Sequence, residues 1–160
     1  MNHYLVHDTP LGELILKSSG IYLIAISFKN NPLNQNKYYL SRKNDFILEK
    51  TATQLDEYFF HNRKSFTIDY TLNVSPFFKK VLQKVSSIRF GEVQSYKQIA
   101  KSLKRKKAFR AVANANANNP IPIIISYHRV IKSSGEGGGY LGGIANKRYL
   151  LDFENKIGVF

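Results

Sequence analysis

Ser95-Tyr-Lys-Gln-Ile-Ala-Lys-Ser-Leu-Lys-Arg-Lys-Lys-Ala-Phe-Arg-Ala-Val-Ala-Asn-Ala-Asn-Ala117 decides how the second half of the chain folds. Ser95 is an N-cap residue type, and Ile99, Ala100 and Leu103 recur at helical steps, which predicts a short helix over Tyr96–Leu103. Lys104-Arg-Lys-Lys107 carries no apolar side chain and reads as a turn. The small residues and Asn from Ala108 to about Ala117 predict a second helix. Two short helices joined by a tight turn suggest a helix-turn-helix. Ala111, Ala113, Ala115 and Ala117 make the second helix a slim cylinder, suited either to a narrow groove or to close packing on a core. The basic turn and Arg110 at the helix start favour the groove.

Working outward, Ser75-Pro76 is a helix start signal, with Pro at the first helical position. Phe77, Phe78, Val81, Leu82, Val85 and Ile88 give the helix that follows an inward face, and Gly91 ends it. Downstream, Ile123-Ile-Ile-Ser-Tyr-His-Arg-Val-Ile131 reads as a buried strand-like run ending in a phenol, an imidazole and a guanidinium. Upstream, His3–His7, Glu13–Lys17 and Ile21–Phe28 alternate with turn residues and predict an antiparallel meander. Lys29–Lys43 reads as a loop, Asn44 as the cap of a helix from about Asp45 to Phe60, and Phe66–Leu72 as a further strand.

Charge separates the halves. Of the +13 formal charge, residues 1–74 hold 8 Lys/Arg against 7 Asp/Glu, and residues 75–160 hold 16 against 4. A half this basic points to a polyanion, nucleic acid before an anionic membrane surface. The 160 residues, 43% hydrophobic with 11 Phe and 10 Tyr, suffice for a real core and exclude a disordered chain. No apolar run is long enough to span a membrane and the first residues do not form a signal segment, so the expected location is cytoplasmic or nucleoid-associated, or nuclear in a eukaryote. Cys is absent, which removes disulfides, thiolate nucleophiles and Cys-type zinc sites by inventory. His3, His7, His61 and His128 have no metal-ligand spacing, so no metal and no cofactor are expected.

Phe90-Gly-Glu-Val-Gln-Ser-Tyr96, Arg110-Ala-Val112, Asn119-Pro-Ile-Pro122, Tyr127-His-Arg-Val130, Gly139-Tyr-Leu-Gly-Gly143, Lys147 and Leu150-Leu-Asp-Phe-Glu154 together resemble the O6-alkylguanine-DNA alkyltransferases. The resemblance implies an α/β protein of two domains. Residues 1–74 would form a ribonuclease-H-like domain, and residues 75–160 a winged-helix-like, helix-turn-helix DNA-binding domain. It further implies that the second helix lies in the minor groove, that Arg110 fills the space left by a rotated nucleotide, and that Tyr96 crowds a phosphate. Ser95, Tyr96, Lys104, Arg105, Lys106, Lys107, Arg110, Ala111 and Asn114 are then the expected DNA contacts. Tyr96, Tyr127, Val130, Tyr140, Leu141 and Gly142 would line the lesion pocket, with Gly143 beside them.

The family's reactive centre reads Pro-Cys-His-Arg-Val; here the same frame is Ser126-Tyr127-His128-Arg129-Val130. His128 and Glu154 match the family's proton relay and Asn119 its bracing Asn, but the acceptor Cys is a Tyr. An unperturbed phenol, with a pKa of about 10, is a poor match for a thiolate in attack on carbon. A ring does suit stacking against a flipped base. The chain is thus similar to the alkyltransferase-like branch, implying a monomer that binds O6-alkylguanine in double-stranded DNA without transfer, for nucleotide excision repair proteins to act on. The alternatives are a transferase, self-alkylating at Tyr127 or a Cys-substituted variant of an active one, and a DNA-binding regulator without lesion recognition. Three departures bear on the pocket: Ser126 for Pro loosens the segment, Leu141 makes the pocket more apolar, and Ala113-Asn114 replaces a Gly-rich helix start.

Overall fold

The computed structural model describes residues 2–29, 45–135 and 138–158. The expected loop Lys29–Lys43 beyond Lys29, the proposed cap Asn44, and Glu136 and Gly137 lie outside these residues. The chain divides into two compact units, residues 1–72 and 73–160.

In the first unit β1 (His3–Thr9), β2 (Gly12–Ser18) and β3 (Leu23–Phe28) form an antiparallel meander in the order β1-β2-β3. Thr9 pairs with Gly12 across the first turn, where Gly12 takes a φ of +93° that a side chain would resist. Leu14, Ile15 and Leu16 of the central strand are all buried, so both of its faces are covered there. Helix α1 (Phe46–Phe60) buries Leu48, Leu55 and Tyr58 and packs on the meander. The expected strand at Phe66–Leu72 does not form. Only Tyr70 bridges, in parallel, to Leu23, and Phe66 instead rests near the Tyr58 ring at 5.5 Å between centroids.

The cap of α1 is Asp45, whose Oδ1 accepts from the Leu48 amide at 3.0 Å. Its Oδ2 takes the Ser18 hydroxyl at 2.5 Å and His3 Nδ1 at 2.6 Å, so one buried carboxylate ties helix start, central strand and edge strand. Burial opposes this charge, but the Ser18, Leu48 and His3 bonds outweigh it and hold the carboxyl below its ordinary range. A depressed folded-state pKa stabilises above the unfolded value, and that contribution is lost as pH falls through the folded one. Asp45→Asn should therefore cost about 1–3 kcal/mol at pH 7 and progressively less below about pH 4, read from urea melts at several pH values.

In the second unit α2 (Pro76–Ser86) starts as expected, Ser75 Oγ accepting from the Phe78 amide at 3.2 Å. Ser95 opens α3 (Tyr96–Ser102) with a full capping box: its Oγ accepts from Gln98 N at 3.0 Å, and its own amide donates to Gln98 Oε1 at 2.8 Å. A single 3-10 turn, Lys106–Ala108, then leads into α4 (Phe109–Ala117), which has no side-chain cap. Val112, Ala115 and Asn116 face inward.

Ile123–Ile131 is not a strand. Ile123 adopts a φ of +74°, Tyr127–Arg129 form a 3-10 turn, and only β5 (Val130–Ile131) is extended, pairing in parallel with β4 (Gln94–Ser95). Pro120 and Pro122 remove ladder donors, and Asn119 folds the segment back by donating to the Ile125 carbonyl at 3.0 Å and accepting from the Ile121 amide at 3.1 Å. The expected loosening by Ser126 is also not seen. Its hydroxyl donates to the Val85 carbonyl at 3.2 Å and anchors the segment on α2. The chain closes with α5 (Ile144–Gly158), whose inner face carries Lys147, Leu150 and Glu154.

Candidate DNA interface and base pocket

The outer side of the α3–α4 unit is basic and small. Lys104, Arg105, Lys106, Lys107, Arg110, Ala111 and Asn114 are all exposed, together with Ala117. Arg105 lies over the Phe77 ring at 4.9 Å, which anchors the turn to α2 while leaving its charge outward. The alanines divide between the two readings, Ala111 and Ala117 facing out and Ala115 buried. Of the other two expected DNA contacts, Ser95 is half-buried and its Oγ accepts the Gln98 amide in the cap of α3, and Tyr96 is buried, its hydroxyl accepting from Asn116.

Beneath this surface lies a polar cluster drawn from four elements and the Gly-rich loop. Asn116 Nδ2 donates to the Gly139 carbonyl at 2.6 Å and to the Tyr96 hydroxyl at 3.1 Å. Lys147 Nζ reaches the Val130 carbonyl at 2.6 Å, the Gly139 carbonyl at 3.2 Å and the Tyr96 hydroxyl at 3.3 Å. Burial pushes the Lys147 ammonium down to about 8. Gly138 rests directly on Tyr96: a Cβ there would stand 2.6 Å from the phenolic oxygen, and its φ is +73°. Only glycine fits at this contact.

Tyr127 is completely buried, and its hydroxyl donates to the Val112 carbonyl, midway along α4, at 2.7 Å. Burial, then the neighbouring Tyr96, raises its pKa far above the ordinary phenol value, so phenolate is still rarer than in water. The expected open ring, ready to stack on a base, is therefore not what this structure holds. Val130 and Tyr140 are buried as well, while Leu141 and Gly142 are half-buried. Gly142 gives its carbonyl to Asn146 Nδ2 at the start of α5. A cleft of about 850 Å³ opens between Val93, Ile131, Gly139, Ile144 and Leu151, but Tyr127 is not among its walls.

Behind the phenol, the matched relay residues meet. His128 Nε2 lies 2.7 Å from Glu154 Oε1, and Arg129 grips the same carboxylate with Nε and Nη2, both at 2.8 Å. Burial opposes ionisation of Glu154, but the His128 and Arg129 bonds prevail and hold it well below the usual range. Burial pushes His128 down, so it is neutral near pH 7; with Glu154 ionised, Nε2 carries the proton and Nδ1 is a bare lone pair. Nδ1 has no hydrogen-bond partner among the described residues. Arg129 also donates to the Ile88 carbonyl at 2.7 Å, a structural tie facing away from solvent.

Lys147 and Asn116 were not singled out as site residues from sequence. Both occupy inward helical registers, Lys147 with Leu150 and Glu154, Asn116 with Val112 and Ala115. A polar side chain in a buried stripe was the available signal. Among the described residues no group of three His, Asp or Glu could hold a metal ion, and no helix is long and apolar enough to cross a membrane.

Residues 76–156 match the family model for the 6-O-methylguanine DNA methyltransferase DNA-binding domain, and residues 2–72 that for its ribonuclease-like domain. A methylated-DNA–protein-cysteine methyltransferase of Mycobacterium leprae is 36% identical over 154 residues, covering 96% of this chain and 93% of the relative. The constitutive enzyme of that name from Bacillus subtilis is 35% identical over 161 residues, covering 96% of each. The crystal structure of Mycobacterium tuberculosis OGT in complex with DNA superimposes with a TM-score of 0.88 at 34% identity, covering 97% of this chain and 94% of that one.

Proposed function

Given that the chain belongs to the 6-O-methylguanine DNA methyltransferase family, we propose that it binds duplex DNA through α3 and α4, holds O6-alkylguanine there, and transfers nothing. The carrying observation is Tyr127: the acceptor position holds a phenol buried from solvent, bonded to Val112, and pushed away from ionisation. An SN2 attack needs a nucleophilic oxygen aligned with the alkyl carbon. This oxygen is protonated and aimed at a backbone carbonyl. The intact support around it, with the Gly-rich loop laid on Tyr96, favours a retained pocket over a decayed one. To admit a base the phenol must leave Val112. A lesion held and left unrepaired needs excision, the step nucleotide excision repair would supply.

The zero exposure of Tyr127 favours a second reading, in which the ring permanently plugs the pocket and the protein binds DNA without reading lesions. One experiment separates them. Matched duplexes carrying guanine or O6-methylguanine are titrated with the protein, which is then weighed intact. Tighter lesion binding at unchanged mass is the expected result; equal binding supports the plug, and a mass gain on Tyr127 would establish a transferase.

The basic turn and the helix should separate cleanly. Lys106→Ala with Lys107→Ala should weaken both duplexes alike and reduce the slope of log K against log salt by about 2. Arg110→Ala should cost lesion preference more than general affinity, and equal losses would remove the space-filling role.

A further inference from the structure

Arg110, Asn114 and Asn118 follow one another along α4 at four-residue steps, and all three are exposed, with Ala111 and Ala117 beside them. Side chains four apart share one face of a helix, each about 6 Å further along the axis than the last. The basic turn Lys104–Lys107 runs directly into this ridge, so a polyanion drawn to the turn meets the two amides next. Asn118 is oriented by chemistry: its Nδ2 donates to the Asn114 carbonyl at 3.0 Å, and a carbonyl only accepts, so Oδ1 is the limb left for a ligand donor. The exposed Asn114 carboxamide presents an acceptor and a donor side by side.

We infer that Asn114 and Asn118 give this protein a base preference in the paired duplex that flanks the lesion, each accepting the 2-amino N–H of a guanine in the minor groove. The inference rests on the proposed binding of duplex DNA through α4. Short amides interleaved with alanines reach base edges only where the helix itself comes close, and alanine at 111 and 117 leaves it slim enough for the narrower groove. In that groove guanine adds a donor, its 2-amino group, beside the N3 acceptor, whereas an A·T pair shows acceptors alone. The Asn114 carboxamide matches the guanine pair of atoms: Oδ1 takes the amino N–H and the NH2 reaches N3. Against A·T the same oxygen faces a lone pair. Asn118 offers its acceptor to the same group one helical turn further on. With Arg110 in the space of a rotated nucleotide, the preferred guanines lie within about four base pairs of it, at roughly 3.4 Å per step.

The test is fluorescence anisotropy on duplexes whose flanks are alternating G·C or hypoxanthine·C pairs, each with and without a central O6-methylguanine. Hypoxanthine lacks only the 2-amino group, so the two flanks are identical in the major groove. Wild-type protein should bind the G·C flanks about tenfold more tightly. Hypoxanthine·C pairs open more easily, which favours rotation of a nucleotide and works against this difference, so easier opening cannot produce it. Asn114→Ala combined with Asn118→Ala, its folding checked by melting, should bring the ratio to near one. Equal binding of the two flanks by wild type overturns the inference, and so does a preference that survives in the double variant. A flank preference on damaged and undamaged duplexes alike, with none for O6-methylguanine over guanine, upholds the inference and defeats the lesion-holding reading. A protein that binds no duplex defeats both.

Discussion

Tyr127→Cys is expected to turn a binder into a self-alkylating protein: incubated with an O6-methylguanine duplex, the variant should gain the mass of one methyl group on its single thiol, where wild type gains none. The two residues that the family resemblance assigns to a thiol's proton relay, His128 and Glu154, are in hydrogen-bond contact. Burial keeps His128 neutral near pH 7, with Nδ1 unpartnered among the described residues and Nε2 held by an ionised Glu154, so it can take the thiol proton as a base whose resulting charge the carboxylate stabilises. A thiol starts from an ordinary pKa of about 8.5, within reach of such a base, and thiolate sulfur attacks carbon well. Removing the ring also frees the volume in which an alkyl carbon must line up. That truncation should cost roughly 3 kcal/mol of stability, so folding is checked by melting before mass is read. Adding His128→Ala to the thiol-bearing variant should slow transfer about a hundredfold, the lower end of what a positioned base supplies. A folded Tyr127→Cys protein that binds the lesion but never gains mass would mean that the relay is not competent, and the pocket changed beyond its acceptor.

How far the sequence foretold this site depended on whether each signal was local. The N-cap at Ser95 and the Ser75-Pro76 start act within a few residues, and each stands where propensity put it. The apolar run at 123–131 failed because burial does not distinguish a strand from a braced turn; the deciding features were the two prolines and the reach of Asn119. The direction of the Tyr127 ring was illegible for another reason. A phenol beside His128 is equally compatible with facing a base or facing α4, and the choice depends on a carbonyl 15 residues away. Lys147 and Glu154 were readable as charges in a buried register, yet only the fold shows that one meets carbonyls and a phenol while the other meets a guanidinium. Family motifs carried the positions of the relay; they carried no information about what a Tyr does inside it.

Glu154→Ala should be the most destabilising single change in the second unit, costing about 3–5 kcal/mol, because it strands Arg129 as a buried charge left with the Ile88 carbonyl and the Phe90 ring. The two carboxylate oxygens together receive His128 Nε2 and the Nε and Nη2 of Arg129, and all three side chains are buried, so neither base relaxes into water when the carboxylate goes. Adding Arg129→Met should return much of the loss, since an apolar pair avoids the desolvation that neither ion escapes alone. The pH dependence has a definite sign. His128 is depressed and Glu154 is depressed, so in both cases the unfolded chain binds protons first as pH falls, and stability rises with pH through both ranges. Wild type should begin to weaken below about pH 6.5 as unfolded His takes protons, and again below about pH 4.3 as unfolded Glu does. In the double variant the second decline should shrink, because its carboxylate is gone. Urea melts of both proteins from about pH 7.5 to about pH 3.5 bracket these two ranges, and a Glu154→Ala cost under about 1 kcal/mol would show that the cluster is no more than a solvated surface pair.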